Sequence, residues 1–376
     1  MAANNRYDRS EWAGAFGDLG TLIPFVVGYI SILGMDPLGI LLGFGIFLIA
    51  SGLYYKTPLP VQPMKAIGAA AMTQGTLIGS GAIWSAGLFS GLFWLILGLS
   101  GVLKFVSKIV SKPVIRGIVL GLGLSFILTG TRFMGEDLLI AILVLLVTLV
   151  LLRSKRIPVM FVLLIFGVIL TLIRTPEVWQ ALSAIRPSVR VPRLSLNIPS
   201  GREWLSGIFV LAIPQIPLSL GNAIIATTAE NNRLFPDRPV SERKLAVSQG
   251  IMNLIAPLFG GVPMCHGAGG MAAHVRFGAR TGGSIVISGS VLLLLGLFFS
   301  DSVLLLFGMI PPAVLGVILS LTGLELVLSA RDVGRTWQDL FVLFITAGFS
   351  LWNVGIGFLA GLLMQEVIKR WVAPAK

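Results

Sequence analysis

Two short stretches decide the fold of this chain: Pro60-Val61-Gln62-Pro63-Met64-Lys65-Ala66-Ile67-Gly68-Ala69 and Gly261-Val262-Pro263-Met264-Cys265-His266-Gly267-Ala268-Gly269-Gly270. Each joins a proline-containing lead-in to Pro-Met, then one or two polar residues, then small residues that fit a helix. Pro63 and Pro263 stand 200 positions apart. Hydrophobic segments interrupted at corresponding places in two halves point to the binding site of a secondary transporter. Pro58, Pro60 and Pro63 each lack an amide hydrogen, so no continuous helix runs through 58–63. Pro63 suits the first turn of a new helix, where its missing donor costs nothing. Pro263, after Gly260 and Gly261, does the same in the second half.

The rest of the chain supplies the membrane. Its 376 residues are 55% hydrophobic and only 12% charged, with a mean hydropathy of +0.93. A soluble domain carries about 25% charged residues. Apolar runs of roughly 17–25 residues recur from end to end, the length a helix needs to cross hydrocarbon. They are continuous rather than alternating, which excludes a β-barrel. The net charge of +12 falls mostly in short loops, where it sets topology, so nucleic acid is not expected as a partner. Cys265 is the only cysteine, and the only histidines are His266 and His274, so neither an internal disulfide nor a metal site is expected. The first ten residues are polar, and no cleavable signal is expected there.

About fourteen segments follow from the pattern: 12–33, 37–55, a broken one at 60–76, 80–106, 111–130, 135–152 and 157–174, then 204–228, 243–260, a broken one at 263–276, 281–300, 310–329, 336–350 and 352–371. Residues 175–203 form the only long connector, so the halves are 1–174 and 204–376. Seven segments per half insert the second half upside down. Pro113-Val114-Ile115-Arg116-Gly117-Ile118-Val119-Leu120 resembles Pro312-Ala313-Val314-Leu315-Gly316-Val317-Ile318-Leu319 at an offset of 199, which supports an inverted repeat. Basic residues crowd one set of loops (Lys56; Lys104, Lys108 and Lys112; Arg153, Lys155 and Arg156; Arg233 to Lys244; Arg276 and Arg280; Arg331 and Arg335; Lys369 and Arg370). Both termini are therefore expected in the cytoplasm, with the Arg-containing connector outside.

In an inverted repeat the two half-helix N-termini face each other. Each carries about +0.5 of a charge and free N–H groups, and Lys65 adds a full charge, so the sum matches a tetrahedral dianion. The expected ligands are backbone N–H groups near Met64, Lys65, Met264, Cys265, His266 and Gly267, with the side chains of Gln62, Lys65 and Gln215. Asp18, in Phe16-Gly17-Asp18-Leu19-Gly20-Thr21, is either a packing residue that neutralises Lys65 or an ion-coupling group. His266 is either a donor to the anion or a second coupling candidate. Pro214 and Pro217 should kink or open the first span of the second half. Asn222 and Thr227 read as structural, and Asp301, Glu325 and Glu366 as interface residues. No nucleophile–base set is present, so no enzyme is expected and no cofactor is called for.

Three blocks carry a resemblance to the molybdate permease family, a branch of the sulfate permease superfamily: Phe16 to Pro24, Pro60 to Ala66, and Pro263 to Gly270 continuing to Arg276-Phe277-Gly278-Ala279-Arg280-Thr281-Gly282. The resemblance implies an all-α polytopic protein with a seven-plus-seven inverted repeat. It implies a core domain (12–106 and 204–300) carrying the site and a gate domain (111–174 and 310–371). It further implies elevator-like motion of core against gate and a homodimer through the gate domains. A soluble carboxy-terminal regulatory domain, common in sulfate permeases, is not expected. The expected function is uptake of molybdate across the cytoplasmic membrane, coupled to protons or sodium. Sulfate or general oxyanion transport, nucleobase–proton symport and an anion channel are the rivals.

Overall fold

The computed structural model describes residues 4–74, 78–103, 111–152, 159–194, 198–334, 336–352 and 354–371. Lys104, Lys108, Arg153, Lys155, Arg156 and Arg335 of the basic loops lie outside the described residues. The first half runs α1 (Arg9–Ala15), α2 (Leu19–Ser31), α3 (Pro37–Tyr55), β1 (Gln62–Pro63), α4 (Lys65–Gln74), α5 (Ser80–Ser100), α6 (Lys112–Met134), α7 (Leu138–Leu152) and α8 (Val159–Arg174). The connector holds α9 (Glu177–Ser183). The second half runs α10 (Gly201–Leu234), α11 (Glu242–Ile255), β2 (Met264–Cys265), α12 (Ala268–Arg276), α13 (Gly283–Phe299), α14 (Val303–Gly308), α15 (Pro312–Ser329), α16 (Trp337–Trp352) and α17 (Val354–Trp371). By length and composition, five helices among the described residues can cross a membrane: Pro37–Tyr55, Ser80–Ser100, Lys112–Met134, Gly201–Leu234 and Gly283–Gly308. Shorter apolar helices, such as Leu138–Leu151 and Pro312–Leu328, accompany them.

Packing follows the repeat. α3 lies along α13, α5 along α11, and α6 along α15, each pairing a helix with one from the other half. Small residues let these backbones approach. A methyl group on Gly45 would stand 2.8 Å from Leu293 Cβ, and one on Gly123 would stand 2.7 Å from the Gly323 carbonyl.

Two local results differ from the sequence expectation, and the connector adds a third. The first span is two helices, broken at Phe16-Gly17-Asp18. A side chain on Gly17 would press on the Ala273 backbone at 2.9 Å, so the turn sits directly against α12. Its counterpart α10 does not open at Pro214 and Pro217 but continues unbroken to Leu234, with π-helical turns at Ser206–Ala212 and Ser219–Ala226. A wider turn absorbs the missing proline donors and the ring clash. The connector is tied to the second half: after α9, Ser188 N and Arg190 N donate to the Phe298 and Leu297 carbonyls at 2.9 and 3.0 Å. Those carbonyls are at the end of α13 and have no partner within the helix. Arg190 then grips Asp36 at 3.0 and 2.8 Å and Asp301 at 3.2 Å.

The start of α13 is capped from a distance. Glu11, fully buried, accepts from the amides of Arg280 and Thr281 at 2.9 Å and of Ser284 at 3.1 Å. A carboxylate at a helix N-terminus satisfies orphan donors and complements the dipole. It also fixes α1 onto the Arg280-Thr281-Gly282 turn.

Candidate functional site

β1 and β2 pair antiparallel, Gln62 opposite Cys265 and Pro63 opposite Met264. The helices that follow therefore leave the crossing in opposite directions, with their N-termini close together. Met64 N donates to the Pro263 carbonyl at 3.0 Å. With that bond fixed, Pro63 and Met264 occupy the position where backbone groups point away from the partner strand. Pro63 is suited to it, having no N–H to lose. Met264 needs outside partners, and Asn253 supplies both. Its Oδ1 accepts from Met264 N at 2.8 Å, and its Nδ2 donates to the Met264 carbonyl at 2.6 Å and the Gln249 carbonyl at 2.8 Å. One carboxamide thus replaces a third strand.

His266 braces the same crossing. Its Nδ1 lies 2.9 Å from the Pro60 carbonyl and its Nε2 lies 3.0 Å from Ser248 Oγ. A carbonyl only accepts, so Nδ1 carries the hydrogen and Nε2 accepts from the Ser248 hydroxyl. The ring is buried, with both nitrogens occupied and Tyr55 set edge-on at 5.9 Å.

Beyond the crossing, Lys65 and Ala268–Gly270 line one cavity of about 200 Å³. Its walls also carry Thr21, Arg116, Asn222 and Glu230, and from α15 Thr322 and Glu325. The starts of both half-helices thus meet at one hollow. An adjoining cavity of about 350 Å³ is lined by Asp18 and Arg276 and shares Thr21, Thr322 and Glu325. Larger hollows of about 780 and 860 Å³ lie between α3 and α11 and beneath the connector; neither is lined by Lys65 or the start of α12.

A relay of side chains backs the cavity. Lys65 Nζ lies 3.5 Å from Gln62 Oε1, and Gln62 Nε2 donates to both carboxylate oxygens of Asp18 at 2.8 and 2.7 Å. Among the described residues Asp18 and Lys65 form no direct ion pair; Gln62 stands between them. Lys65 is 5% exposed and lines the cavity. The relay fits only because its neighbours lack side chains. A methyl on Gly270 would lie 2.6 Å from Asp18 Oδ2 and closer still to Gln62 Nε2, and one on Gly267 would overlap Gln62 Oε1.

Of the residues expected to bind substrate, Lys65 lines the cavity and Gln62 lies directly behind it. Met64 and Met264 are buried, with their amides already bonded within the protein. Cys265 is buried, its Sγ 3.8 Å from the Pro63 carbonyl. Gly267 is the last residue before α12 and cradles Gln62. Gln215 does not reach the cavity: Oε1 accepts from Ala66 N at 2.8 Å and Nε2 donates to Ser219 Oγ at 3.0 Å. It caps the first turn of α4 from the middle of α10. Of the coupling candidates, Asp18 lines the adjoining cavity and His266 lines neither. Asn253 was legible in principle, a polar residue within Ile251-Met252-Asn253-Leu254-Ile255. Asn222 and Glu325, expected as structural and interface residues, both line the cavity.

A family profile described as "Molybdate transporter of MFS superfamily" matches residues 10–126 and 207–326, the corresponding front portions of the two halves. The chain belongs to the molybdate transporter family. It is 32% identical to molybdate transporter 2 of Arabidopsis thaliana, over 96% of this chain and 87% of that protein. It is 30% identical to molybdate transporter 1 of the same plant, over 96% and 88%. The molybdate transporter family places the chain among transporters, not enzymes. Its fold matches the transmembrane domain of the cyanobacterial bicarbonate transporter BicA with a TM-score of 0.67 at 19% identity, covering 96% of this chain and 98% of that one. It matches the murine Solute Carrier 26 family member A9 anion transporter, in the inward-facing state, with a TM-score of 0.68 at 13% identity, covering 98% and 69%. This member of the molybdate transporter family is thus a multi-pass membrane protein with the seven-plus-seven fold.

Proposed function

We propose that the protein takes up molybdate across the cytoplasmic membrane by alternating access, with the anion held between the starts of α4 and α12 beside Lys65. The observation that carries this reading is the convergence of two half-helix N-termini and a lysine on one cavity. Helix N-termini offer backbone donors and positive potential to an anion without needing a side chain. The ligands in this reading are Lys65, the amides of Ala268–Gly270, and Thr21 or Asn222 hydrogen bonds, with Gln62 holding Lys65 in place. Met64, Met264, Cys265, Gly267, Gln215 and His266 then act as the frame.

The core segments (12–106 and 204–300) move as an elevator against the gate segments (111–174 and 310–371). Pairing of α3 with α13 and of α5 with α11 supports the first unit, and pairing of α6 with α15 the second. Both termini are cytoplasmic in this reading and the protein is a homodimer through its gate segments. Moving a dianion into a negative cell costs about 2.3 kcal/mol per charge per 100 mV, so accumulation needs a coupled proton or sodium ion. Asp18 is the coupling candidate that faces a cavity.

Calorimetry on purified protein, with molybdate as ligand and sulfate as competitor, tests the reading. Molybdate should bind and Lys65→Ala should abolish measurable binding while the variant stays folded. Retained affinity in Lys65→Ala would overturn the site. Equal competition by sulfate would make the protein a general oxyanion carrier.

A further inference from the structure

Glu325, expected from its sequence position as an ordinary interface residue, faces the site. It projects from α15, the helix paired with α6, whereas the relay and both half-helix starts belong to other elements. It lines the cavity of Lys65 and the adjoining cavity of Asp18. Thr322, one turn earlier on the same face, lines both as well. The charges of Asp18, Lys65 and Arg276 all act on its carboxylate. The charged groups facing this space are Asp18 from the α1–α2 turn, Lys65 from α4, Arg116 from α6, Glu230 from α10 and Arg276 from α12. Glu230 is held by Arg233 through two bonds of 3.0 and 2.7 Å. Glu325 forms no ion pair among the described residues.

An ionised carboxylate in a hollow of about 200 Å³ cannot be indifferent to a dianion in the same hollow. The two repel at short range, and both attract Lys65. Protonation removes the repulsion and turns the carboxyl group into a hydrogen-bond donor that an oxyanion can accept. We propose that Glu325 is a release residue: its ionised carboxylate competes with the bound oxyanion for Lys65 and the two helix N-termini, and dianion binding takes up a proton from solvent onto Glu325. This rests on the anion site proposed above. In an elevator the site moves past α15, so Glu325 meets the anion only in the arrangement seen here. It lowers affinity at that end of the stroke, and so speeds discharge. By linkage, whatever proton does to anion affinity, the anion does to proton affinity.

The test is calorimetric binding of molybdate, and separately of sulfate, to the full-length protein across neutral pH. Wild type, Glu325→Gln and Glu230→Gln are compared, with uptake of [99Mo]molybdate into vesicles as a second readout. Wild-type affinity should fall as pH rises for both anions. Glu325→Gln should bind at least about fivefold tighter than wild type at the alkaline end, the low end of ordinary site–site coupling, and lose the pH slope. Its turnover should fall while its KM falls too. Glu230→Gln should keep the slope. An unchanged affinity and slope in Glu325→Gln, or loss of the slope in Glu230→Gln instead, would overturn the proposal while leaving the anion site intact. Absence of binding by wild type to either anion at every pH would overturn the anion site and this role together.

Discussion

Replacing Asn253 by alanine should unfasten the crossing on which both half-helices depend. In the native protein one carboxamide closes two bonds to the Met264 backbone and a third to the Gln249 carbonyl. The register leaves Met264 N and O pointing away from β1, so β1 cannot replace the lost partner. Both groups are buried among side chains, and among the described residues no strand lies on that side. A buried polar group left unpaired costs about 1–3 kcal/mol, so two cost about 2–6 kcal/mol. The Gln249 carbonyl adds less, because it already lies on a helix. That loss is a large part of the roughly 5–15 kcal/mol that holds a typical domain folded. Asn253→Asp keeps the acceptor for Met264 N but sets a carboxylate against two carbonyls, and should be no better than alanine. Thermal unfolding in detergent, followed by intrinsic fluorescence, should show a clear drop in midpoint for both variants. Molybdate binding should weaken in parallel, since β2 leads directly into α12. Unchanged midpoint and affinity in Asn253→Ala would show that the crossing is held by something other than this carboxamide.

Two further substitutions probe the frame. Gly270→Ala puts a methyl group within 2.6 Å of Asp18 Oδ2 and should break the Gln62–Asp18 relay, with molybdate affinity lost in calorimetry; Gly269→Ala, with nothing within 4 Å, should leave the thermal midpoint unchanged. Glu11→Gln leaves one oxygen where two accept, and turns an NH₂ toward the Ser284 amide, so a loss of about 1–3 kcal/mol is expected in thermal unfolding.

The broken spans were legible because proline chemistry is local: Pro58, Pro60 and Pro63 forbid a helix whatever surrounds them. Lys65 was legible because an ionisable residue at membrane depth needs a reason. The roles of Gln215 and His266 were not, because each depends on a partner far away in sequence. Gln215 meets Ala66, and His266 meets Pro60, only after the two halves have interlocked. Glu325 was not legible as a cavity residue for a related reason: its nearness to the end of its segment suggested an interface, and that it lines the Lys65 cavity depends on residues from other elements. Glu11 lies in the polar start of the chain, and its three amide partners come from residues 280–284.

One displacement explains why the expected ligands of the second half fall beside the cavity rather than in it. Aligning Pro63 with Pro263 sets Lys65 against Cys265, and α4 does begin at Lys65. α12 begins three residues after Cys265, at Ala268. The second lead-in therefore stays extended through Cys265 and His266, and the extended geometry turns the His266 ring back toward Pro60 and Ser248. The helix N-terminus that faces Lys65 is built instead from Ala268, Gly269 and Gly270, which carry almost no side chain. The two repeats share a topology but divide the work. The first contributes the charge of Lys65 and its supports Gln62 and Asp18, and the second contributes bare backbone and the space into which those supports close. A side chain of any size at Gly267 or Gly270 would occupy that space, so copying the first repeat's residues into the second would destroy the site rather than double its charge.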